Sequence, residues 1–212
     1  MKNKFATIFI MSALTVSVMG CKDKANEATT TEAEEVMTPE VVTDKYIADV
    51  ETSTITWTGY KPTGSHTGNI NLENGVLNTA DGKIAGGTFL IDMASLKDGE
   101  GSAKLEGHLK SPDFFDVENH PTAAFEITGL EEVDGKMMLS GNLALKDVKN
   151  NVTFPVSVSN DGDMMTLTSD TFTIDRSKWN VKYGSKSFFD DLGDKFINDD
   201  IELKIMVKAK KA

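Results

Sequence analysis

The chain has 212 residues, 33 Asp and Glu against 22 Lys and Arg, and a formal net charge of −11. That length suits one domain with a substantial core, and the acidic balance disfavours nucleic acid as a partner. The single Cys excludes an internal disulfide framework.

The chain opens with Lys2 and Lys4, followed by a largely apolar run over 5–18 that ends in Val18-Met19-Gly20-Cys21. The run is too short to span a bilayer and finishes in a processing-type site. It predicts a lipoprotein signal peptide over 1–20, with Cys21 as the lipid anchor. Lipidation would also account for a lone thiol in an exported chain. Residues 21–45 mix acids with Ala and Thr without strong periodicity, which predicts a flexible acidic tether. The globular domain is expected over 46–212.

From there the chain alternates in twos, the period of a half-buried strand. Ile55, Trp57 and Gly59 form one such row; His66, Gly68, Ile70 and Leu72 form the next. A third strand over 84–92 is too apolar to phase. Ala123, Phe125 and Ile127 follow, then Met137, Leu139, Gly141, Leu143 and Leu145. Val152, Phe154, Val156 and Val158 make another row, and Met165 and Leu167 open a strand running towards Phe172 and Ile174. Ile201, Leu203, Ile205 and Val207 make the last. Asn74-Gly75, Asp81-Gly82, Asp134-Gly135 and Asp161-Gly162 supply turns. Eight strands with short links predict an all-β fold: an eight-stranded antiparallel barrel, closed to hide its edges. A two-sheet sandwich would alternate in the same way. Pro155 belongs at an edge or a bulge. Two excursions interrupt the strands. Residues 101–110, with Ser102 as cap and Ser111-Pro112 as stop, predict a short helix; residues 186–196 carry Phe188, Phe189 and Leu192.

Candidate chemistry is sparse. His66, His108 and His120 match no metal-ligand spacing. Asp190, Asp191 and Asp194 lack the alternating ligands of a calcium loop. No nucleophile elbow surrounds Ser65 or Ser111. The reading is therefore no enzyme, no metal and no cofactor.

Several blocks carry a family resemblance: Trp57-x-Gly59-x-Lys61, His66-Thr67-Gly68, HLKSPDFFD at 108–116, His120-Pro121 with Phe125, FTIDRSKWNVKYGS at 172–185, and DDIEL at 199–203. Over 46–207 the chain resembles the YceI-like family of bacterial exported proteins, here in lipoprotein form. The resemblance implies a lipocalin-like barrel with one or two short helices, an elongated cavity for a polyisoprenoid or similar amphiphilic lipid, and a periplasmic setting. Gly68, Ile70, Phe89, Phe125, Leu139, Gly141, Leu143, Phe154 and Phe172 are the expected cavity lining. His108, Phe114, Phe115 and His120 are expected at a cap or mouth. Lys61, Arg176, Lys178 and Lys182 are candidates for a polar head group. The expected partners are an isoprenoid or quinone-like lipid and a membrane reached through the N-terminal anchor. The expected location is the cell envelope, lipid-anchored and facing the periplasm, with the choice of membrane and leaflet left open by the sequence. The alternative is a packed envelope barrel without a ligand.

Overall fold

The computed structural model describes residues 25–38 and 41–212. The expected signal peptide over 1–20 and the expected anchor Cys21 lie outside the described residues. Twelve strands follow in chain order: β1 (Asn26–Glu27), β2 (Thr29–Glu32), β3 (Asp44–Ala48), β4 (Thr54–Lys61), β5 (Gly64–Ala80), β6 (Lys83–Asp98), β7 (Thr122–Val133), β8 (Lys136–Leu145), β9 (Val148–Asp161), β10 (Met164–Ser169), β11 (Phe172–Asp175) and β12 (Asp200–Lys211). One α-helix, α1 (Ala103–Lys110), and two 3-10 turns, Arg176–Trp179 and Gly193–Lys195, complete the elements among the described residues.

All twelve strands belong to one sheet, ordered β1-β11-β12-β10-β9-β8-β7-β6-β5-β3, with β2 on β9 and β4 bridging β12 and β5. This corrects the expected eight-stranded antiparallel lipocalin-like barrel. The sheet is mixed, because β1 runs parallel to β11. It is also branched, because β12 pairs with β10, β11, β3 and β4. A ring of eight equivalent strands is not the right description. Register shifts along β5–β6 and at Ile127/Gly129 in β7 bend the strands, as bulges do.

Part of the difference arises in the segment expected to be a tether. Near Ser169 the sheet splits: β10 leaves β9 after Ser169↔Val156, while β11 follows β12. β1 and β2 occupy the space between them. Asn26 and Glu27 pair with Phe172 and Thr173, and Thr29–Glu32 pair with residues 153–150 of β9. Ala28 between them is 4% exposed and joins the core. Pro155 falls where β9 changes partner from β10 to β2, a place where a missing N–H leaves no gap in a ladder. Beyond β2, Asn142 accepts from the Glu34 N–H (2.9 Å) and donates to the Glu34 carbonyl (2.7 Å). The Met37 N–H then reaches the Ile127 carbonyl. The described part of residues 21–45 is therefore strapped to the sheet rather than free of it.

α1 forms where expected. The Ser102 hydroxyl accepts from the Leu105 N–H, and the helix ends at Ser111. It packs on β6 and is followed by turns that bury Phe114, Phe115 and Val117. The second excursion contains only the Gly193–Lys195 turn, and leaves Phe188 and Phe189 exposed.

Candidate functional site: an apolar cavity with a polar rim

The inner face of the curved sheet surrounds a cavity of about 490 Å³. The period of two explains its walls. In β4, β5 and β12 one face of each strand (Ile55 and Trp57, Ile70 and Leu72, Leu203 and Ile205) points into it, while Thr56, Asn69 and Lys204 lie on the other. α1 and the segment after it contribute Leu105, Leu109, Phe114 and Phe115. Lys61, Tyr183 and Lys195 are exposed residues at the rim.

Ile70, Phe89, Phe125 and Leu139 lie on the cavity wall, as do Leu143, Phe154 and Phe172. Phe154 and Phe172 stack with ring centroids 4.2 Å apart. Gly68 and Gly141 are not on the wall. A Cβ on Gly141 would run into the Phe125 ring, and one on Gly68 would meet the Lys97 carbonyl and the Trp57 ring. Each glycine gives its space to an aromatic side chain and none to the cavity.

The four cap residues divide. Phe114 and Phe115 are buried, and His108 stands edge-on to Tyr183 at 4.5 Å and to Phe114 at 5.9 Å, all bordering the cavity. His120 is not on the cavity wall; its ring nitrogens face Asp116 (3.8 Å) and Asp147 (3.4 Å).

The head-group candidates divide too. Lys61 is at the rim. Arg176 borders the cavity, but its side chain is 0% exposed and fully engaged. It donates to the carbonyls of Asn198 (3.1 Å), Val181 (2.6 Å) and Ile197 (3.1 Å), and its guanidinium lies 5.1 Å from the Phe114 ring centroid. Its Nη2 is also 3.2 Å from Asp199 Oδ1, yet that oxygen accepts no hydrogen bond. The contact is thus ionic, with the N–H groups aimed at the carbonyls. Burial lowers the Arg176 pKa, against the raising effect of Asp199 and Asp175. Lys178 pairs with Glu27 of the strap at 3.2 Å, and Lys182 sits over Phe188; neither borders the cavity.

Two polar groups on the wall were not singled out as ligand contacts from the sequence. The Trp57 indole Nε1 is buried without a partner, and so is His66 Nδ1. Both sat in the sequence as members of an apolar-facing row, where period alone assigns position but not hydrogen bonding.

A curved sheet around one apolar cavity, roofed by a short helix and edged by a few polar groups, has the form of a site for a small, mostly apolar guest. The YceI-like domain model matches residues 46–209, and the chain belongs to that family. Membership supports a ligand-binding role in general terms. Among solved structures, BcnA of Burkholderia cenocepacia is similar at 23% identity, covering 76% of this chain and 98% of its own, with a TM-score of 0.61. A polyisoprenoid binding domain from Saccharophagus degradans, implicated in plant cell wall breakdown, is similar at 16% identity, 79% and 98% coverage, and a TM-score of 0.63. At these identities the likeness concerns the fold. No curated protein matches the chain.

Proposed function

We propose that this protein holds a long isoprenoid or quinone-like lipid, its tail in the cavity and its polar end at the rim, for carriage or sequestration at the envelope. The observation that carries the reading is the cavity: about 490 Å³ with almost wholly apolar walls, within the range of small-molecule sites. Each buried CH₂ of a tail contributes about 0.8 kcal/mol, offset by the cost of immobilising the chain. The unpartnered Trp57 Nε1–H gives a carbonyl or phosphate oxygen a donor that no protein group uses. Lys61 and Lys195 at the rim add positive charge for an anionic head.

The domain division, with a signal over 1–20, an anchor at Cys21 and the binding domain over 46–212, belongs to the same proposal. Asn26 is fixed beside β11, and five residues reach at most roughly 17 Å. Lipidation at Cys21 would then hold the domain close to its membrane, at the Phe172 end of β11, rather than on a long leash.

Native mass spectrometry tests the reading. Protein purified without organic extraction should carry about one lipid per chain. Extracted protein should take up a prenyl quinone or a prenyl phosphate and prefer it to a straight-chain fatty acid. A protein that arrives bare and ignores all three would overturn the proposal; equal uptake of the fatty acid would remove the isoprenoid part of it.

A further inference from the structure

We propose that His66, Asp98 and Glu100 form a zinc-class divalent cation site at the edge of the cavity. The three residues meet because of strand register. Gly68 pairs with Asp98 across β5 and β6, and the Gly99 N–H donates to the Thr67 carbonyl. The turn carrying Asp98 and Glu100 is thereby held beside His66, and one ligand atom from each of the three lies within 4.8 Å of the others.

The indication of an ion is a pair of orphaned atoms. The Asp98 side chain is 0% exposed. Its Oδ2 accepts from the Ser102 N–H, but Oδ1 has no hydrogen bond, and neither has His66 Nδ1. The two orphans are 3.5 Å apart. A buried carboxylate oxygen without a donor is costly, and a histidine N–H aimed at it would have removed that cost. A cation held between the two atoms would satisfy both of them. Ligands bound at about 2.0–2.2 Å around a tetrahedral ion stand roughly 3.3 Å from each other. Lys97 on β6 is taken by Glu106 at 2.9 Å and does not neutralise the pair of acids. Glu100 is exposed and can swing the remaining distance.

One imidazole and two carboxylates suit zinc or cobalt better than calcium or magnesium, which prefer oxygen alone. Three protein ligands leave a fourth position open, the arrangement of a site that binds something further. His66 borders the cavity, so that position adjoins the space where a guest's oxygen would arrive. The site does not depend on the nature of that guest.

The test uses delipidated, chelator-stripped full-length protein, so its outcome is separate from lipid uptake. Zinc is titrated against a chromophoric chelator, and cobalt(II) is added for its visible absorption. The expected result is one ion per chain with the strong visible bands of four-coordinate cobalt. Glu100→Gln and His66→Ala should each weaken zinc by at least the 10–100-fold that loss of even an outer partner costs. His120→Ala, which removes the imidazole between Asp116 and Asp147, should leave binding unchanged. Glu100 is exposed, so its variant keeps the test decisive if His66→Ala folds poorly. No zinc uptake at 100-fold excess over protein (a ratio of roughly the scale that a useful linkage needs), affinity unchanged in Glu100→Gln, or loss only in His120→Ala would each overturn the assignment.

Discussion

Phe125 lays its ring over Gly141, and Trp57 does the same at Gly68. Glycine inside a strand sacrifices packing and backbone entropy, and here the missing side chain is replaced by an aromatic from the neighbouring strand, a device that also protects the exposed backbone. Gly141→Ala should therefore destabilise the protein by about 1–3 kcal/mol through overpacking against Phe125. Adding Phe125→Leu should restore part of the loss, a coupling that a double-mutant cycle of melting curves reads directly. Additive losses would mean that the two residues do not share the space. Glu106 offers a test by pH. Its pKa is lowered, first by the hydrogen bond from Lys97 and also by the Asp98 N–H. A carboxyl held lower in the folded than in the unfolded chain adds stability above its unfolded pKa, near 4.3, and that contribution is lost as pH falls through the folded value. Acid unfolding of Glu106→Gln should thus be less steep than wild type below about pH 4.3; parallel curves would show that the Lys97 contact adds nothing.

At the scale of the element, the N-terminal strap distinguishes this molecule from a simple ring of strands. Asn26–Glu27 and Thr29–Glu32 fill the split between β9 and β11, and Ala28 is buried in the seam. Without them, the edges at 150–153 of β9 and at Phe172–Thr173 would face solvent, an invitation to aggregation. A chain beginning at Tyr46 should melt below one beginning at Lys22, by about 0.5–1.5 kcal/mol for each backbone hydrogen bond lost. The amides within 150–153 that face β2, every second one along β9, should also exchange faster with deuterium. Equal melting and equal exchange would show the strap to be a passive tether. The strap was not legible in the sequence because its residues, Asn-Glu-Ala-Thr-Thr-Thr-Glu at 26–32, are polar and carry no apolar alternation. They are held by backbone pairing and by one small buried side chain, neither of which leaves a period. α1 was legible for the opposite reason: Ser102 and the Ser111-Pro112 stop are local signals, and the helix needs no distant partner to be recognised.

Across the whole molecule, alternation located the strand faces well. Ile55 and Trp57, Ile70 and Leu72, and Ile201 to Val207 each line one cavity. Counting strands failed, since alternation says nothing about branching: β12 serves four partners, and the break between Ser169 and Phe172 divides one expected strand in two. Polar function was the least legible. Arg176 read as a contact for a head group, but its guanidinium is consumed by three carbonyls of its own loop. The orphaned Trp57 Nε1, His66 Nδ1 and Asp98 Oδ1 emerge only once strands far apart in the chain are in register. A place for a guest and an imperfectly packed core differ in how they respond to a ring set into the cavity. Ala123 is a small residue on its wall, so Ala123→Phe puts a ring into the cavity without displacing a larger side chain. The decisive measurement is the native mass of wild type and of Ala123→Phe, with their melting temperatures after extraction of lipid. Wild type should carry about one long-chain lipid and the variant none, and the variant should melt no lower than wild type. A bare wild type, or a variant that keeps the same lipid, would contradict a cavity for a guest.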